Sequence, residues 1–350
     1  MEKICILLED HADIKYCKTT IALIKYSKYD VVAIIDSKNK GKFSDDVLGT
    51  HKKIPFVSNI KEAFKINKKI KALFIGISPP GGEFPEIMRN HVKEALSMGL
   101  NVVSGLHYFL SEDPEFCELA RLSGSKIIDI RKISKDKIYY NRYNPRRAGT
   151  NVILTVGSDC SVGKMITTIE LNKSALNRGL KSTIAMTGHT GMMIVGDGIP
   201  VDATISDFTI GTISKYIQYL AENHDYVFVE GQGTITHGNI SLALLHGAEP
   251  DYLVLCHQVG RKYIKGYNQW LIPPLNELVK IYEYASSWKK GTNYARVIGI
   301  SLDTHLLSHE EAIIYINSVQ KELNIVTTDP WRFGVKKIID EIISKHKMKI

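Results

Sequence analysis

The run Gly157-Ser158-Asp159-Cys160-Ser161-Val162-Gly163-Lys164-Met165-Ile166-Thr167-Thr168 directly follows the apolar stretch Val152-Ile153-Leu154-Thr155-Val156. A strand, a small-residue loop and a glycine–lysine pair opening a helix form the layout of a phosphate-binding loop. Main-chain N–H groups of the loop and first helical turn converge on one point, where the helix dipole adds partial positive charge. Lys164 brings a full charge to the same oxygens. The expected ligand is a co-substrate bearing a di- or triphosphate, held by residues 157–165 and Thr167. Gly157 precedes Gly163 by six positions rather than the common five. Loops that cleave nucleotides place a Ser or Thr after the lysine to ligate magnesium. Met165 stands there, and a thioether is a poor partner for a hard cation. The loop is therefore read as one that holds a pyrophosphate, and no metal site is assigned.

A second constellation is Tyr226-Val227-Phe228-Val229-Glu230-Gly231-Gln232-Gly233. It puts a carboxylate at the end of a buried strand, followed by two glycines. In phosphate-loop proteins the neighbouring strand commonly ends in an acid that acts on metal or water. Glu230 is thus read either as orienting magnesium through water or as a general base. Gly231 and Gly233 would let backbone N–H groups approach a substrate carboxylate or a developing oxyanion.

These residues need elements to hold them. Short β-branched runs alternate with amphipathic helix-length segments from end to end, the pattern of parallel α/β sheets. Strands are predicted near 4–8, 31–35, 72–76, 101–104 and 126–130, with helices over 14–26, 84–98 and 114–122. The segment 136–148, rich in Tyr, Asn, Arg and Pro, breaks the alternation. After it, strands are predicted near 152–156, 182–186, 226–230, 252–256, 296–300 and 324–327. The fold class is α/β in two domains: a Rossmann-like parallel sheet over 1–143 and a P-loop NTPase-like parallel sheet over 149–350. The first strand leads into Glu9-Asp10-His11 without the glycine fingerprint of a dinucleotide site. Two other strand ends, Gly76 to Gly82 and Ser104-Gly105-Leu106-His107, are better placed for a ligand.

The 350 residues suit two domains, and 44% hydrophobic with 23% charged residues is an ordinary globular composition. The opening residues are charged too early for a secretory signal, and no apolar stretch reaches the roughly 20 residues of a membrane helix. Five scattered cysteines read as reduced thiols of a cytoplasmic protein. The net charge of +8 is spread out. Its densest part, Arg131-Lys132 to Arg146-Arg147 with Tyr139, Tyr140 and Tyr143, lacks a nucleic-acid-binding signature. Attraction of small acidic molecules is the expected use of the charge. No nucleic-acid or membrane partner is expected, and a homo-oligomer is left open.

The loop Gly157–Lys164 with Glu230–Gly233 resembles the dethiobiotin synthetase branch of phosphate-loop proteins, which shares the longer loop and the later Glu-Gly. The chain more closely resembles a family long catalogued as a domain of unknown function, with a Rossmann-like N-terminal and a P-loop C-terminal domain. Some of its members are D-glutamate N-acetyltransferases. The pattern runs through Ile35-Asp36-Ser37, Gly76 to Gly82, Ser104 to His107, Asp129-Ile130-Arg131, Thr187 to Gly191, Asp202, Ser206-Asp207-Phe208, Leu245-His246-Gly247 and Cys256-His257 with Gly260-Arg261. Two departures stand out: His189 replaces a Gln, and Asp303 replaces an Asn at a strand end that helps recognise the base in the dethiobiotin synthetase branch. An ionised Asp only accepts hydrogen bonds, which suits adenine's amino group.

The resemblance implies acetyl transfer from acetyl-CoA to the amino group of a small acidic amino acid, D-glutamate by family, in amino-acid metabolism. The phosphate loop would hold the CoA pyrophosphate. Glu230 is the first choice of base, followed by Asp202, then His189 and the further histidines His237, His246 and His257. Thr190, Gly231, Gln232, Gly233 and His257 are expected around the substrate. Arg261 is the expected carboxylate clamp, because its planar fork pairs with both oxygens. One alternative is an ATP- and magnesium-dependent ligase or kinase acting on a carboxylate, with Thr167, Glu230 or Asp159 holding the metal. Another is a non-catalytic nucleotide- or CoA-binding protein.

Overall fold

The computed structural model describes all residues except 14–15, 78, 141–144, 289–294 and 348–350. By internal contacts the chain forms two compact units. One is Met1–Ile133 with His189–Ala203, and the other is Ser134–Gly188 with Thr204–Ile350.

The first unit is a six-stranded parallel sheet built from β1 (Lys3–Leu7), β2 (Asp30–Ile35), β3 (Phe56–Val57), β4 (Ile70–Ile75), β5 (Asn101–Ser104) and β6 (Ile127–Asp129). Its order, β3-β2-β1-β4-β5-β6, is that of Rossmann sheets. Chain direction across the sheet reverses between β1 and β4, which opens a crevice at the strand C-termini. Near-continuous apolar strands such as Ile4–Leu7 are fully buried, as a sheet covered on both faces requires. Helices α1 (Lys18–Tyr26), α2 (Ser44–Leu48), α3 (Ile60–Ile66), α4 (Arg89–Ser97) and α5 (Pro114–Ser123) connect the strands. The helix expected over 84–98 begins at Arg89, because Pro85 leads into a separate short turn over Glu86–Met88. Residues 14–15 of the helix expected over 14–26 lie outside the described residues, and the observed helix starts at Lys18.

In the second unit β7 (Asn151–Gly157) is followed by α6 (Lys164–Leu176), β8 (Ser182–Ala185) and, within the segment grouped with the first unit, α7 (His189–Val195). Then come α8 (Ser206–Asn223), β9 (Tyr226–Val229), α9 (Ile240–Ala248), β10 (Tyr252–Gln258) and a hairpin of β11 (Tyr263–Ile264) with β12 (Tyr267–Leu271). The unit ends with α10 (Leu275–Ser287), β13 (Arg296–Asp303), α11 (His309–Leu323), β14 (Val326–Thr328) and α12 (Lys336–Lys347). Its sheet, β14-β13-β10-β7-β9-β8, is parallel throughout. One core cluster packs Ile153, Phe228 and Val254 of the sheet against Leu171 of α6 and Ile338 and Ile342 of α12. Asn324, expected to open the last strand, instead caps α11 in the left-handed region at φ 52. The two-residue β3 and β11 carry no period, and β12 is exposed along its whole length and shows no buried face, so all three escaped sequence reading. Among the described residues no helix is long and apolar enough to cross a membrane.

Candidate functional site

In the second unit the phosphate loop springs from β7, all seven of whose residues are buried. Ser161 at φ 57 and Gly163 at φ 96 bend the loop through left-handed backbone just before α6 begins at Lys164. The first N–H groups of a helix have no partners within it, so this end of α6 offers donors to an anion. Lys164 is 7% exposed, and its Nζ donates to Asp159 O and Gly233 O, both at 2.7 Å. It ties the phosphate loop to the turn after β9, and burial lowers its pKa. Gly157 must lack a side chain here, since a Cβ would sit 2.8 Å from that same Nζ.

Buried polar groups fasten the loop from behind. Ser158 Oγ bonds His257 Nδ1 at 2.8 Å, and Tyr282 donates its hydroxyl to Gly157 O at 2.8 Å. Asp159, 1% exposed, accepts from Arg261 Nη1 and the Lys265 N–H through Oδ2, each at 2.9 Å, and from the Cys160 N–H through Oδ1. Two expectations are corrected here. Asp159 is an anchor with both oxygens engaged rather than a magnesium ligand. Arg261 does not stand as an open carboxylate clamp: its guanidinium donates to Asp159, Cys160 O and Gln258 Oε1.

The hydroxyls behind Lys164 are also engaged. Thr167 Oγ1 bonds Gly163 O at 3.0 Å and Ser301 Oγ at 2.7 Å, and Thr168 Oγ1 donates to Lys164 O at 2.8 Å. Both threonines are fully buried. The expected contact of Thr167 with a phosphate therefore fails for its hydroxyl, although the residue borders a cavity described below.

Glu230 follows β9, next to β7 in the sheet, and is 3% exposed. Its Oε2 accepts the N–H groups of Thr187 and Gly188, each at 3.0 Å. Burial pushes its pKa up to about 7, and those two N–H bonds only partly oppose the rise. Gly231 is not an oxyanion donor, because its N–H goes to Thr155 Oγ1 at 3.0 Å. Gly233 presents its carbonyl to Lys164. Gln232 Nε2 reaches Thr187 Oγ1 at 3.3 Å. His257 is driven down to about 4 by burial and the nearby Arg261, so it is neutral at neutral pH. His237 packs against Tyr267 and Trp270, and His246 against Trp288, in aromatic settings apart from the loop's bonding network.

Beside the loop a cavity of about 230 Å3 is lined by Ile166, Asp303, His305, Trp331 and Arg332 among others. Asp329 pins its rim, accepting from Thr304 N at 3.1 Å, Trp331 N at 2.8 Å and Arg332 N at 3.1 Å. Asp303 Oδ1 accepts from the His305 main chain and lies 2.8 Å from its Nδ1. Sequence reading named Val162, Gly163, Thr167 and Asp303 of this lining and missed His305, Trp331 and Arg332. Asp329-Pro330-Trp331 directly after β14 was the available signal: a turn with an aromatic at a strand end.

The remaining expected residues sit in the first unit. Asp202 Oδ2 accepts from Arg131 Nε at 3.0 Å and Nη2 at 2.9 Å. Thr190 Oγ1 bonds Thr19 Oγ1 at 2.7 Å, and His189 Nε2 lies 3.2 Å from Thr190 Oγ1. Burial, reinforced by Arg131, drives His189 down to about 3, which leaves it a poor base at neutral pH. Thus Glu230 belongs with the phosphate loop, whereas His189, Thr190 and Asp202 are grouped with Arg131. Two other basic residues of the tyrosine-rich segment are structural: Arg146 pairs with Asp251 at 2.5 Å and Arg147 with Asp225 at 2.6 Å. Tyr143, expected among them, lies outside the described residues.

Comparisons with known proteins agree with this architecture. Residues 141–339 match the family model described as Domain of unknown function (DUF1611_C) P-loop domain. Residues 37–133 match Domain of unknown function (DUF1611_N) Rossmann-like domain. A Tritonibacter scottomollicae protein named D-glutamate N-acetyltransferase is 34% identical over 278 residues, 78% of this chain and 81% of its own. A Pseudoalteromonas protein of the same name is 32% identical over 285 residues, 80% of this chain and 83% of its own. The crystal structure of a DUF1611 family protein from Anabaena variabilis matches with a TM-score of 0.88 and 31% identity, over 98% of this chain and 100% of that one. With both family domains present in order, the chain belongs to the DUF1611 family.

Proposed function

We propose that this protein is an N-acetyltransferase that moves an acetyl group from acetyl-CoA to the amino group of a small acidic amino acid, with D-glutamate the first acceptor to test. The observation that carries the reading is a phosphate loop with no Ser or Thr directly after its lysine to ligate magnesium. Met165 follows the lysine, and the hydroxyls of Thr167 and Thr168 are bonded inside the protein. Such a loop suits a pyrophosphate that is held and left intact. The names of the two relatives supply the reaction and the acceptor.

The chain's groups fit the co-substrate. Lys164 and the start of α6 would hold the pyrophosphate, and the cavity at Trp331 offers a face for an adenine. Asp303 there is an acceptor for the base's amino group. Bound acetyl-CoA supplies a thioester carbonyl open to attack by an amine. That attack needs the amine neutral: a C–N bond forms, the C–S bond breaks, and the amine gives up one proton, which a base takes and returns to the departing CoA thiolate so that CoA leaves as thiol. Glu230, a buried carboxylate with its pKa near 7, is the group suited to take that proton.

Incubation of the protein with acetyl-CoA and D- or L-glutamate, read by mass spectrometry, tests the proposal. The expected outcome is N-acetylglutamate with matching free CoA thiol, unchanged by EDTA. ATP consumption that requires magnesium, with no acetylated product, would instead indicate a ligase or kinase. Tight binding of acetyl-CoA without any product would indicate a binding protein.

A further inference from the structure

The first unit holds a concave site of its own. A cavity of about 260 Å3 is bounded by Gly81 and Gly82 after β4, Leu106 and His107 after β5, Arg131 after β6, and His189. Strand C-termini are where open α/β sheets take ligands. Missing side chains shape this cavity as much as present ones. A Cβ on Gly82 would lie 2.5 Å from His107 Cδ2, and a Cβ on Gly105 would lie 2.7 Å from His189 Cδ2. Only glycine at both positions lets the two imidazoles close around the space.

The charges are paired but not exhausted. Arg131 is 9% exposed, and its Nε and Nη2 both donate to a single oxygen, Asp202 Oδ2. Among the described residues, neither Arg131 Nη1 nor Asp202 Oδ1 has a hydrogen-bond partner. His107 and His189 are both shifted down by burial and by Arg131, so they line the space as neutral rings. Arg131 lines the cavity, and Asp202 adjoins it, paired with Arg131 and with its Oδ2 4.0 Å from Nε2 of the lining His107, so a cation and an anion stand side by side at the cavity wall, each with bonding capacity left. A simple anion would meet Asp202, and a simple cation would meet Arg131. A molecule carrying a carboxylate and an ammonium on one carbon satisfies both.

We infer that this cavity is the amino-acid site, with Arg131 holding the α-carboxylate of an α-amino acid and Asp202 its amino group. The choice of amino acid as probe rests on the acetyltransferase reading. Hydrogen exchange on the wild-type protein avoids any variant that fails to fold: saturating D-glutamate is expected to slow exchange in 79–82 and 104–107. Glutarate, which lacks the amino group, and 4-aminobutyrate, which lacks the α-carboxylate, are expected to do so at least tenfold more weakly. Arg131→Gln is expected to raise the KM for D-glutamate at least tenfold while the KM for acetyl-CoA stays within twofold. The double variant Arg131→Gln, Asp202→Asn removes both charges together and serves if the single variant does not fold. D-Glutamate turnover with no protection at these loops, or with an unchanged D-glutamate KM in either variant, would overturn the inference and leave the acetyltransferase reading standing. Protection without acetylated product would overturn the acetyltransferase reading and leave the inference standing.

Discussion

Glu230 accepts two main-chain N–H bonds yet keeps its proton up to about 7, because burial outweighs both bonds. The sign of the consequence follows from linkage. Its folded pKa lies above the 4.5 of an unperturbed glutamate, so the folded state holds this proton more tightly than the unfolded state does. Stability from this group is complete below about 4.5 and is lost as pH rises toward 7, by roughly 3 kcal/mol. The rate is expected to run the opposite way, rising through about 7 as the carboxylate ionises and becomes able to take a proton. Glu230→Gln removes the charge and should separate the two effects. Its urea midpoint at pH 8 is expected to exceed that of the wild type, while turnover falls about 100- to 10,000-fold. A variant that is fully active, or less stable than the wild type at pH 8, would refute the assignment. The type and place of Glu230 were legible in the sequence, but its basicity was not, since that depends on burial by side chains far away in the chain. Arg261 shows the converse. Sequence presents it as an open fork after a strand, whereas the fold closes it with Asp159, an acid 102 positions earlier.

The two glycines after β9 do different work within one turn. At Gly231 the backbone runs hard against β7, and a Cβ would lie 1.8 Å from Thr155 O. At Gly233 nothing lies within 4 Å of a Cβ, but φ is +60. Gly231→Ala must push two paired strands apart and is expected to cost about 3 kcal/mol or more. Gly233→Ala meets only left-handed strain and is expected to cost about 1–2 kcal/mol. Urea denaturation of both variants measures the contrast, and equal losses would refute it. Elements of this kind were readable from sequence where they are long and periodic. Every strand of five or more residues in the two parallel sheets was found, because a doubly covered strand is apolar throughout. Element ends were less legible. They are set by single residues such as Pro85 and Asn324, whose effect depends on whether the neighbouring chain can bend away.

Two parallel sheets in one chain could be read from the alternation of elements, but the membership of the segment 189–203 could not. Periodicity identifies a buried face without naming what buries it. In the structure α7 joins the first unit through Thr190 on Thr19 and through Met193, whose Cε would lie 3.1 Å from a Cβ on Gly105. The same segment supplies Asp202 as the counter-ion of Arg131. A contiguous fragment 1–133 would keep all six strands of the Rossmann-like sheet and lose these contacts. Its deficit should be local: Arg131 stripped of its carboxylate and the α1 face uncovered, on the order of 3 kcal/mol together. The fragment is therefore expected to unfold at lower urea than the same sheet in the full chain. A synthetic peptide of residues 189–203 supplied in trans should recover part of the difference, whereas one carrying Asp202→Asn should recover less. Fragment stability indifferent to either peptide would mean that the sheet is complete without its returning segment, and that the Arg131–Asp202 pair does not help to hold the unit together.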